Sequence, residues 1–122
     1  MTSALRLQTD AAQLRSLAAA SRGRVEFERL PSEVRPEVVA VFACVTAGST
    51  AYPERRESRV VVHVALPERY PFLAPVATVR TPIWHPNVYP SGTVCLGTRW
   101  IAAQGLDLFV QRLLRLVTFD PL

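Results

Sequence analysis

Residues 38–45 and 60–66 are two apolar, largely valine-built runs, and the link between them is polar, carries a proline and has no helical repeat. Neighbouring strands can run parallel only if a crossover of about a dozen or more residues, usually a helix, lies between them. A link without a helix favours an antiparallel pair. The flanking segments obey the same rule. Residues 24–30 alternate Val25, Phe27 and Leu30 with Glu26, Glu28 and Arg29, the mark of a half-buried strand. A short strand over 76–80 follows the proline-rich stretch from Pro67 to Pro75, within which Tyr70-Pro71 is a candidate cis peptide.

Helical periodicity is confined to the two ends of the chain. Leu7, Ala11, Leu14 and Ala18 fall on one face and predict a helix over 3–22, stopped by Gly23. Asp10 and Gln13 have the spacing of a capping box, which would start that helix later. Leu106, Phe109, Leu113, Leu116 and Val117 form a stripe over 105–119 that reads as the core face of a second helix. The expected architecture is α+β: an N-terminal helix, a four-stranded antiparallel meander and a C-terminal helix.

At 122 residues the chain is read as one domain, 1–122. An apolar fraction of 49% argues against disorder. No apolar run reaches the roughly 18–20 residues that span a bilayer, and no basic-then-apolar leader opens the sequence, so a cytoplasmic protein without membrane contact is expected. The net charge of +4 comes entirely from arginine on the cationic side, and those arginines are scattered among acids. A nucleic-acid binder would cluster them in a stripe with interleaved aromatics, so that class is set aside. The absence of lysine fits a codon bias, as in a GC-rich bacterial genome. It also fits a protein that avoids acylating itself.

Of the two cysteines, Cys44 lies in a run that reads as buried strand, whereas Cys95 is set in a loop-like stretch with Gly92 and Gly97. Nothing else points to an oxidising compartment, so reduced thiols are expected. Cys44, His63, His85 and Cys95 lack the spacing of zinc ligands, and His63 reads as a sheet residue. There is no phosphate-binding glycine loop or dinucleotide fingerprint.

Trp84-His85-Pro86-Asn87 precedes Cys95-Leu96, and both follow Tyr70-Pro71-Phe72. Together with Gly92 and Trp100, these segments resemble the core of ubiquitin-conjugating (E2) enzymes, over about residues 58–119. The resemblance implies a UBC-like fold in which an active-site loop leads into a crossover helix, without the terminal helices of eukaryotic members. It implies a transferase: Cys95 accepts a ubiquitin-like protein as a thioester from an E1-like enzyme and passes it to an amine on a target. Asn87 would stabilise the oxyanion, a role in which one donor is worth roughly a hundredfold to a thousandfold in rate. His85 would fasten the loop by hydrogen bonding. Arg6 and the first helix would face the E1-like enzyme, and Phe72 a ligase or the E1. No metal or small cofactor is implied, since ATP is spent by the E1.

The pattern is not followed throughout. The interval from Cys95 to Trp100 is shorter than in the family, which should open the cleft beside the thiol. Ile101-Ala102-Ala103 replaces a Ser-Pro-Ala ligase contact, and the acidic group that assists the amine has only Asp120 as a counterpart. These departures place the chain with minimal bacterial E2-like proteins of ubiquitin-like conjugation operons, several of them antiphage. Two other readings stay open: a non-catalytic adaptor that binds a ubiquitin-like protein, and a hydrolase in which His85 serves Cys95 as base.

Overall fold

The computed structural model describes residues 4–47, 56–81, 83, 88–96 and 99–118, with backbone only at 44–47 and 56–58. Helix α1 (Ala4–Ala20) is followed by strands β1 (Val25–Arg29), β2 (Glu37–Ala47), β3 (Arg56–Ala65) and β4 (Val76–Val79), and the chain then enters α2 (Leu106–Val117). The sheet order is β1-β2-β3-β4 and each neighbouring pair is antiparallel. This is the meander expected from links whose sequence carries no helical repeat. β3 begins earlier than the valine run, because Arg56 and Glu57 pair with Ala47 and Thr46 although their composition reads as loop. Ladder pairing next to a long strand overrides weak local preference.

Register explains which residues go inside. Val38, Ala40 and Phe42 of β2 lie opposite Val64, Val62 and Val60 of β3, and all six are buried. Ala77 and Val79 of β4 continue that face, which packs with Leu7 and Leu14 of α1 and the α2 stripe in one core. The stripe consists of Leu106, Phe109, Leu113, Leu116 and Val117, with Val110 added, and every member is buried. The alternate residues point to the other face. There His63 donates from Nε2 to Glu37 at 2.7 Å, and Arg29 also pairs with Glu37. His63 is thus a sheet residue tied to a carboxylate.

Asp10 does not cap α1. It lies inside the helix and is fully buried (0% exposed), so the capping-box reading is overturned. Gly23, at φ +82°, stands just beyond the helix as expected. The Tyr70-Pro71 peptide bond is cis.

Candidate active site

Cys95 owes its position to β4. Val88 bridges Val94 across a turn that contains Gly92. The returning limb then docks on β4: Val79 N donates to Gly92 O at 2.8 Å and Val94 N to Ala77 O at 3.0 Å, with Thr93 bridging Thr78. Gly92 has φ +91°, and a Cβ there would stand 2.5 Å from the Val79 carbonyl oxygen. Only glycine fits both the left-handed turn and that approach. Val94 and Leu96 turn inward and pack against the core, while Cys95 between them is exposed. Successive side chains of an extended chain alternate in direction. Anchoring the two neighbours therefore aims the thiol at solvent. A cavity of about 220 Å³ opens next to this segment, lined by Val94, Leu96, Trp100 and Phe109 with Arg99 and Arg112.

Two further loops are bound side by side next to this limb. The Trp100 indole Nε1 donates to Pro71 O at 2.7 Å, and its ring lies 5.9 Å from those of both Tyr70 and Phe109. Their neighbours project outward: Phe72 is 77% exposed and Ile101 60%. The two loops thus present an apolar pair on a fixed frame.

The frame rests on a polar network that sequence reasoning missed. Asp10 Oδ2 accepts from Tyr70 OH at 2.6 Å and from Arg6 Nε at 2.9 Å. Its Oδ1 lies 3.4 Å from the Leu106 N–H, which the Gly105 N-cap leaves without a side-chain partner. Asp10 therefore serves as a cap for α2 from another helix, where the helix dipole favours a negative charge. Arg6 donates to the carbonyls of Ala102 and Gln104 and to Tyr70 OH, fastening the loop after Trp100. Burial, followed by the hydrogen bond to anionic Asp10, pushes the Tyr70 phenol well above its ordinary value. For Arg6, burial works against the charge, but Asp10 and Tyr70 outweigh it and the guanidinium titrates above its usual range. The network joins residues remote in sequence, so no local pattern announces it. The isolated signal was an acid on the apolar side of a helix.

The other residues named from sequence fall as follows. Cys95 is at the surface as read, and Phe72 is exposed. The guanidinium of Arg6 points inward, whereas the neighbouring Leu5 is exposed. His85, Asn87 and Asp120 lie outside the described residues, as does the Cys44 side chain.

A four-stranded meander with both helices packed into the core on one face, and a thiol presented from a loop docked on its last strand, is the UBC-like fold. A family model described as ubiquitin-conjugating enzyme matches residues 18–119, and the chain belongs to that family. It is 32% identical over 65 residues to the ubiquitin-conjugating enzyme E2 of African swine fever virus (strain Badajoz 1971 Vero-adapted), covering 44% of this chain and 30% of the relative. Against human ubiquitin-conjugating enzyme E2 T it is 41% identical over 44 residues, 36% of this chain and 22% of the relative. The chain thus spans less than a third of the length of these relatives. Human ubiquitin-conjugating enzyme E2 G1 shares the fold, with a TM-score of 0.69 at 19% identity over 99% of this chain and 100% of that one.

Proposed function

We propose that this protein is an E2-type transferase with Cys95 as its acyl carrier. The observation that carries the reading is the exposed thiol held between two inward-turned neighbours on a limb hydrogen-bonded to β4. Family membership supports the same chemistry. The Cys95 thiolate attacks the carbonyl carbon of a ubiquitin-like protein's C-terminal thioester on an E1-like enzyme. A new C–S bond forms, the old one breaks, and the E1 sulfur leaves as thiolate, which takes a proton from solvent. An amine on the target then attacks the same carbon, an amide bond forms, Cys95 departs as thiolate, and the amine proton passes to solvent. Asn87 donates to the oxyanion that forms as the amine attacks, and His85 fixes the loop. The exposed Phe72 and Ile101, on loops joined through Trp100 and Pro71, suit contact with the E1 or a ligase. The reaction needs no cofactor on this chain, and ATP is used by the E1.

Setting and location belong to the same proposal: a bacterial, antiviral conjugation pathway in the cytoplasm. Among the described residues no helix is long and apolar enough to cross a membrane.

Loading and discharge kinetics test the assignment. Protein charged by E1, ATP and ubiquitin, or a ubiquitin-like protein in its place, is chased with free lysine. Asn87→Ala is expected to slow discharge by about a hundredfold and loading by less. Equal slowing of both steps contradicts the role given to Asn87. Hydrolytic activity abolished in His85→Ala and kept in Asn87→Ala would favour the hydrolase, and non-covalent binding alone would favour the adaptor.

A further inference from the structure

A second cleft lies between the C-terminal end of α1, the start of β1 and the second half of α2, and it shares no lining residue with the cavity beside Cys95. Its volume is about 570 Å³. That lies within the volume range of ligand-binding clefts. Leu17, Val25 and Leu114 supply an aliphatic floor, and Arg22, Arg24 and Arg115 stand around it with no acid in the lining. Among the described residues none of these three arginines has an acidic partner, whereas Arg6, Arg29 and Arg59 each do.

The arginines are presented from a braced backbone. After Ala20 the chain reverses through Arg22 at φ +55° and Gly23 at φ +82°. A left-handed conformation is strained for a non-glycine residue. The Ser21 hydroxyl holds the reversal, donating to Ala18 O at 2.8 Å and accepting from Val25 N at 3.0 Å. Arg22 and Arg24 are thereby set beside Arg115, which lies in the last turn of α2.

We propose that this cleft docks an acidic segment of a partner protein, seated by an aliphatic side chain on the floor and held by carboxylates paired with the three arginines. Guanidinium forks match carboxylates and phosphates alike. The surroundings decide between them. No aromatic ring lines the cleft, so a nucleobase has nothing to stack on. Both helices turn their C-terminal halves toward it, the ends whose partial negative charge disfavours a compact phosphate. Carboxylates spread along a peptide avoid that concentration of charge, and a leucine or valine between them fills the apolar floor. Because the cleft is separate from the cavity beside Cys95, a partner held here leaves the thiol accessible. The proposal stands on the cleft alone and does not depend on the thioester chemistry.

The test is a peptide-display selection against the intact chain, with counter-selection on Arg22→Glu/Arg24→Glu/Arg115→Glu. All three side chains are exposed, so the variant should fold, which circular dichroism checks. Selected peptides are expected to carry acids around Leu, Ile or Val. Their affinity, read by fluorescence anisotropy, should fall about tenfold or more in the variant. Amide shifts on binding should centre on Leu17, Val25 and Leu114. Peptides without acids, or peptides indifferent to the substitutions, overturn the proposal. So does arginine-dependent binding of pyrophosphate or of phosphatidylserine vesicles when no such peptide emerges.

Discussion

The Asp10 carboxylate accepts from Tyr70 and Arg6 at full burial, so deleting it removes the acceptor of the Tyr70 hydroxyl and the counter-charge of the part-buried Arg6 guanidinium together. Breaking such a pair costs about 3 kcal/mol or more. Asp10→Ala is therefore expected to lower the urea midpoint by that equivalent, with the slope unchanged. Tyr70→Phe removes only the hydroxyl, and about 1–2 kcal/mol is expected. A wild-type midpoint in Asp10→Ala would show the network to be idle. Glu37 gives a pH signature. The hydrogen bond from His63, then that from Arg29, holds its carboxyl below the ordinary 4.5. A depressed folded-state value means stability present above pH 4.5 and lost as pH falls below it. Glu37→Gln should flatten that acid limb of the stability profile. An unchanged limb would assign the loss to other groups.

At the level of elements, the turn through Gly92 decides where the thiol stands. Gly92→Ala places a methyl 2.5 Å from the Val79 carbonyl and forces a left-handed φ. About 2 kcal/mol or more of destabilisation is expected in thermal unfolding, along with an altered alkylation rate at Cys95. Wild-type values for both would mean the limb tolerates displacement from β4. Much of this region was legible. Cys95 and Gly92 stood out by residue type and order, and the α2 stripe by its period. The reason for Gly92 was not legible, because it lies in a carbonyl on another strand. Asp10 misled outright: Asp favours caps, and within a helix its preference points to the wrong end unless a distant Tyr70 and Leu106 are known. The inward partners of Arg6 were not legible either, because they are loop carbonyls and a phenol far along the chain.

Across the whole molecule the meander was readable because no link between strands carries a helical repeat in its sequence, which leaves few topologies to consider. The start of β3 was not, since charged residues join a sheet when a paired neighbour offers the ladder. The resulting body has one helix-covered face, and at its rim a thiol, an apolar pair of loops and a separate arginine-lined cleft. The central claim is that Cys95 carries the acyl group. Incubation with E1, ATP and ubiquitin or a ubiquitin-like protein, followed by a non-reducing gel, tests it directly. The expected result is an adduct on the wild type that thiol reagents remove, a thiol-resistant ester on Cys95→Ser and nothing on Cys95→Ala. An adduct that forms equally on Cys95→Ala would contradict it.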